Sequence, residues 1–245
     1  MSSILPQHRI ERVRYELIKR KVIVSKVERP GDGFARISFT GDELAGFQSR
    51  SFDDHIKFIF SNAQGETILR DYTPSHWDAA QGVLVLEFAL HGDGAAATWA
   101  AQAATGMTAM IAGPKGSMII PHEQDWHLLL GDDSALPAIR RRLAELPASA
   151  HADVLLLRPA GLAAWKVPRQ QEWQLQQLTE SADLLTALRQ WQVPAGNGFA
   201  WCAGEGGLMR QVRNILLEEK ALPREGVRVA AYWRQGEADF HERLV

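Results

Sequence analysis

The period of the hydrophobic pattern changes near residue 122, and the change divides the chain into two stretches that obey different folding rules. Before it, short apolar or alternating segments at 22–27, 35–40, 55–60, 67–73, 83–89 and 107–112 are separated by turn signals such as Pro30-Gly31-Asp32-Gly33. Period-two alternation marks strands with one buried face. Six such segments packed this densely predict a small antiparallel barrel, whose closure removes exposed sheet edges. One helix interrupts them. His91-Gly92-Asp93-Gly94 leads into an alanine-rich run over 95–104, with Asp93 as the expected cap and Gly106 as the stop.

Beyond the change, strand and helix alternate. Segments 126–130, 154–157, 198–202 and 227–233 read as strands, and 134–146, 181–191 and 207–220 as helices. Aliphatic strands such as 154–157 suit a parallel sheet covered on both faces, and the alternation predicts βαβ units. The expected fold is a six-stranded antiparallel barrel domain over residues 1–122, followed by a nucleotide-fold parallel-sheet domain over 123–245. Ahead of the barrel, Ile10, Val13, Leu17 and Ile18 recur at helical spacing among basic residues, which predicts an amphipathic lead-in segment. Glu11 and Glu16 interrupt its positive charge and argue against a polyanion-binding arm.

Composition narrows the function classes. A net charge of −2 gives no electrostatic bias toward nucleic acid. No stretch approaches the ~20 apolar residues of a membrane span, and the basic N-terminus lacks the apolar run of a signal peptide. A cytoplasmic protein without membrane insertion is expected. The lone Cys202 excludes an intramolecular disulfide and a multi-cysteine metal site, and is expected to be a small buried hydrophobe. Asp53-Asp54-His55 looks metal-like, but neighbours in an extended segment point to opposite faces, so no protein-held metal is expected.

Four elements could carry chemistry. Arg70 and Tyr72 share a face at a strand end. With Thr73 they could supply a cation for a flavin pyrophosphate, a flat side chain against its ring and a hydrogen bond near its reactive edge. The plainer reading is a strand that stops at a Thr-Pro turn. The turn into the alanine-rich helix, through Gly94, Ala95, Ala96 and Thr98, could seat a pyrophosphate on unpaired amides, or be an ordinary capped helix. Gly204 and Glu205 lie in a glycine-rich turn between strand and helix, where doubly wound sheets bind ligands, although no GxGxxG pattern is present. Trp233 and Arg234 follow the last strand and could cover a ring and hold an anion, or merely end the strand.

Taken in order, Phe52-Asp53-Asp54-His55-Ile56-Lys57, Arg70-Asp71-Tyr72-Thr73-Pro74, the stretch from Leu90 to Ala100, Ala112-Gly113-Pro114-Lys115-Gly116-Ser117, Ala203-Gly204-Glu205 and Ala231-Tyr232-Trp233-Arg234 resemble the siderophore-interacting protein family. The closest resemblance is to its NADPH-dependent ferric-chelate reductase branch. It runs over about residues 15–240, and six weak motifs in one order are specific together.

The resemblance implies a ferredoxin-reductase-like flavoprotein in which FAD carries the chemistry and no side chain is catalytic. Arg70, Tyr72 and Thr73 would hold the flavin, the turn from His91 and Asp93 to Thr98 its pyrophosphate, and Trp233 its ring. Lys57 and Lys115 would gather an anionic ferric chelate, with Arg234 as a further cation, and Gly204 and Glu205 would bind NAD(P)H. Arg158, just after the second strand of the second domain, could meet a 2′-phosphate or be a surface arginine. Ser75 stands where many members carry an arginine. NADPH is the favoured donor, with ferredoxin as an alternative. A non-reducing siderophore-binding flavoprotein and a general reductase of quinones or free flavins are the other readings.

Overall fold

Alternating residues in the first stretch become strands because each buries one side. In the computed structural model, which describes residues 10–31, 33–62, 64–90, 94–158, 173–237 and 242–245, the chain forms two compact units. The first comprises Met1–Pro121 with Arg140–Arg142, and the second comprises His122–Ile139 with Leu143–Val245.

The first unit contains strands β1 (Glu11–Arg14), β2 (Lys19–Glu28), β3 (Phe34–Thr40), β4 (Ile56–Ser61), β5 (Thr67–Tyr72), β6 (Pro74–Asp78), β7 (Val83–Ala89), helix α1 (Ala95–Gln102), β8 (Thr108–Ala112) and β9 (Gly116–Ile119). Seven of the strands form one sheet in the order β5-β4-β8-β2-β3-β7-β6, with every neighbour antiparallel. The expected six strands are thus seven, because the chain resumes as β6 directly after the Thr73 break.

The lead-in is also corrected: its described residues, from Ile10 on, form no helix. Glu11–Arg14 runs extended and pairs with β9, Glu11 opposite Ile119 and Arg14 opposite Gly116. Local apolar spacing lost to a ladder of backbone hydrogen bonds with a distant partner.

Phe58 centres the first core. Its ring lies 4.8 Å from Trp99, 5.2 Å from Phe88, 5.4 Å from Phe60 and 5.7 Å from Phe39 (centroid to centroid). Trp99 comes from α1, so the cluster at the centre of the sheet also anchors that helix. The sheet stays open between β5 and β6, so the expected closed barrel is a curled sheet with two edges.

The second unit contains β10 (Trp126–Asp132), α2 (Leu136–Glu145), β11 (Ala152–Leu157), β12 (Trp173–Leu178), α3 (Ser181–Gln190), β13 (Gly198–Glu205), α4 (Gly206–Asn214), β14 (Val227–Trp233) and β15 (Glu242–Arg243). The sheet order is β12-β11-β10-β13-β14-β15. The first five strands are parallel, and β15 adds a short antiparallel edge, so the expected purely parallel sheet is mixed. Order runs outward one way from β10 and the other way from β13. The carboxyl ends of these two strands therefore form the topological switch point, where ligands of such sheets bind.

Candidate functional site

Period two on β5 does what the sequence predicts. Arg70 sits opposite Phe58 and Tyr72 opposite Ile56, on the face that covers the core. The Tyr72 ring lies 4.4 Å from Phe88 and 5.8 Å from Phe58, and burial pushes its phenol up, against a smaller pull downward from the charge of Arg70. Arg70 Nη1 donates to the Leu69 carbonyl at 2.7 Å, and Arg70 makes no ion pair among the described residues. A cation without a carboxylate beside a half-buried aromatic ring is a donor set that fits the diphosphate and ring of a flavin. Thr73 is buried between β5 and β6.

The start of α1 fits the same group. Gly94 stands at the N-cap, and among the described residues no side chain caps the helix. Its first amides therefore remain available to an anion. A Cβ built on Gly94 would meet nothing within 4 Å, so the approach is open. Ala96 is buried against the core, while Thr98 is exposed. His91 and Asp93 lie outside the described residues.

Lys57 and Lys115 behave differently. Lys57 faces away from the core and pairs with Asp71 at 3.0 Å. Lys115 is exposed, three residues beyond Ala112, which is the register partner of Lys57, and makes no ion pair among the described residues.

In the second unit the switch point is organised by a residue the sequence reading passed over. Asp132 ends β10, and its carboxylate is buried. One oxygen accepts from the amide of Ser134 at 2.9 Å and from its hydroxyl. The other accepts from the Glu205 amide at 3.0 Å and from Trp233 Nε1 at 2.9 Å. Burial nevertheless raises its pKa above the ordinary carboxylate value. Gly204, Glu205 and Trp233 thus converge on one carboxylate. Gly204 is required there, since an added Cβ would stand 2.7 Å from Asp132 Oδ2. Glu205 caps α4 by accepting from the Leu208 amide at 2.8 Å. The signal that could have found Asp132 was a polar Asp-Asp-Ser run directly after the apolar Leu128–Gly131 stretch of the strand.

Two of the expected site cations are engaged by carboxylates of the protein. Arg158 is fully buried, and its Nε donates to Asp133 Oδ1 at 2.6 Å. Its burial excludes the surface-arginine reading, and Asp133 supplies its counter-ion. Arg234 pairs with Glu237 at 2.9 Å and lies 3.6 Å from Glu242, which offsets its charge toward an anion. Cys202 is wholly buried, and desolvation pushes its thiol up, away from reactivity.

A curled antiparallel sheet with an open helix N-terminus, joined in one chain to a doubly wound sheet with a glycine turn at its switch point, defines the ferredoxin-reductase-like class of flavin and nucleotide proteins. Comparison with known proteins narrows the class. Residues 124–236 match the siderophore-interacting protein family, and residues 23–68 and 62–118 match the siderophore-interacting FAD-binding domain. The NADPH-dependent ferric-chelate reductase of Escherichia coli K12 is 32% identical, over 91% of this chain and 96% of that protein. The ferric vibriobactin reductase ViuB of Vibrio cholerae is 28% identical over 95% of each chain. The crystal structure of a siderophore utilization protein from T. fusca superposes with a TM-score of 0.87 at 31% identity, over 94% of this chain and 98% of that one. The chain belongs to the siderophore-interacting protein family.

Proposed function

We propose that this protein reduces ferric chelates of the siderophore type, drawing electrons from NADPH through bound FAD. The observation that carries the reading is the Arg70–Tyr72 face of β5: a cation with no carboxylate partner among the described residues and an aromatic ring, set on the core that also anchors α1. The names of the relatives support it, one being an NADPH-dependent ferric-chelate reductase and another a ferric vibriobactin reductase.

In this reading Arg70 and the amides at the start of α1 hold the diphosphate, Tyr72 lies against the ring system, and Thr73 offers its hydroxyl to the ring edge. Bound FAD supplies hydride acceptance from a nicotinamide and one-electron delivery to iron. No side chain is catalytic, and the protein's part is to bind, orient and gather. Gly204 and Glu205 form the nicotinamide-nucleotide end, held in place by Asp132. Lys115, aided by Lys57 and Arg234, gathers the anionic chelate. Reduction lowers the charge on iron from three to two, which weakens its hold on hard oxygen ligands and releases it.

No described helix is long and apolar enough to cross a membrane. A cytoplasmic site of action agrees with a pyridine-nucleotide donor. The test is a visible spectrum after reconstitution with FAD, followed by anaerobic NADPH and a ferric catecholate with a ferrous trap. Flavin bands that bleach with NADPH and recover as ferrous iron appears are the expected result. Bound flavin that neither NADPH nor NADH bleaches would transfer the donor role to a ferredoxin. Failure to bind FAD would overturn the reading.

A further inference from the structure

The segment joining β1 to β2 frames a groove of about 310 Å³ in the first unit, lined by Arg14, Tyr15, Glu16, Ile18, Arg20 and Pro114 among others. The flavin reading uses none of these six residues. Arg20 stands at the start of β2 on the inner face shared with Val22 and Val24, and is only 6% exposed. Its guanidinium lies over the Phe47 ring, 5.6 Å from the centroid. Its hydrogen bonding is poor: Nη1 reaches the Ile18 carbonyl at 3.4 Å, and the solvent-shielded Nε has no partner. Arg20 makes no ion pair among the described residues. By contrast the buried Arg142 donates from both terminal nitrogens, to the carbonyls of Ile120 and Pro121 at 3.0 and 2.6 Å.

A buried cation without a counter-ion is costly, and desolvation already lowers the pKa of Arg20. A group that lines a groove can recover that cost from a ligand. The remaining walls describe the ligand. Ile18 and its neighbour Leu17 are exposed apolar side chains at the rim, and Pro114 adds an apolar wall. Tyr15 has its hydroxyl tied to Ser117 Oγ at 3.0 Å, so its ring backs the groove. Arg14 adds a second cation, and Glu16 a carboxylate that repels a dianion more than a monoanion.

We propose that this groove binds a small organic carboxylate, with its head on Arg20 and its apolar body against Ile18 and Pro114. A guanidinium matches the planar carboxylate, and the volume sits at the small end of ligand sites.

The test is calorimetric titration of the full chain at low ionic strength with benzoate, its neutral isostere benzamide and inorganic phosphate. Benzoate is expected to bind saturably and more tightly than the other two. Arg20→Gln should weaken benzoate roughly tenfold or more, the usual scale for losing a charged hydrogen-bond donor. Because Arg20→Gln could disturb the β2 end, Ile18→Glu serves as the second variant. It places a negative charge on an exposed rim position and should also abolish benzoate binding while leaving the far-ultraviolet circular dichroism unchanged. Equal binding of benzamide, tighter binding of phosphate, absence of saturable heat with benzoate, or wild-type affinity in a folded Ile18→Glu protein would each overturn the proposal. FAD content, read from the visible spectrum of the same samples, keeps this test separate from that of the reductase reading.

Discussion

Single side chains decide two of the clearest outcomes. Asp132 receives hydrogen bonds from Ser134, Glu205 and Trp233, all as donors. Asp132→Asn would turn an amide NH₂ toward at least one of those donors and should cost about 1–3 kcal/mol at neutral pH, measured by urea unfolding. The same residue predicts a pH slope. Burial raises its folded pKa above the unfolded value, so the folded protein holds that proton to higher pH. Its contribution to stability is full below the ordinary carboxylate value and is lost as pH rises through the raised one. The urea midpoint of the wild type should therefore fall across that window more steeply than that of Asp132→Asn, and equal slopes would refute the assignment. Arg70→Gln removes a cation from the flavin face and should raise the FAD dissociation constant roughly tenfold or more without unfolding the barrel unit. Arg70 and Tyr72 were legible in the sequence because period two is rigid and a strand end exposes it. Asp132 was not, because only the sheet order reveals that β10 and β13 meet at a switch point. Arg20 was hidden for a related reason: a cation on an inward position has no signature until its surroundings are seen.

Elements were legible wherever their pattern served a buried face. The six strands expected in the first unit and the four in the second all exist, with ends shifted by a few residues. Five strands were missed, β1, β6, β9, β12 and β15, and three of them show that a strand with little to bury leaves little signal. Pro74–Asp78 opens with proline and carries His76 and Asp78. Trp173–Leu178 is a half-exposed edge strand with three glutamines, and Glu11–Arg14 is mostly charged. Each is held by pairing with a neighbour, and pairing leaves no periodicity of its own. The first unit depends instead on its aromatic centre. Phe58→Ala removes the ring that touches Trp99, Phe88, Phe60, Phe39 and Tyr72, and should cost about 3–5 kcal/mol. That is a large share of a domain's typical stability, so FAD binding should weaken with it as the Tyr72 face loses support. The β13–α4 turn is as tightly fixed. Gly204→Ala brings a methyl group against Asp132 Oδ2 and should cost about 1–3 kcal/mol, with a raised KM for NADPH and an unaltered flavin content.

At the scale of the whole molecule, charge determines how an anionic substrate arrives. The chain carries a net charge of −2, so its overall field does not attract a ferric catecholate, and any attraction must be local. The family resemblance suggests three cations for that task, Lys57, Lys115 and Arg234, without their partners. The structure ranks them: Lys57 is paired with Asp71, Arg234 is flanked by Glu237 and Glu242, and Lys115 is exposed without an ion pair among the described residues. A paired cation exerts little field beyond its partner, whereas an unpaired one acts over about a Debye length, ~10 Å at 0.1 M salt. Lys115→Ala should therefore raise the KM for an anionic chelate more than Lys57→Ala does, by roughly fivefold at low salt, with kcat unchanged. The two variants should converge with the wild type as salt is raised, and a neutral chelate should respond to neither. If the Lys115→Ala loss persisted at high salt, the lysine would be touching the bound chelate rather than steering it. Were Lys57→Ala the more damaging change, the Lys57–Asp71 pair would have to open when the chelate binds, and Asp71→Asn should then lower the KM.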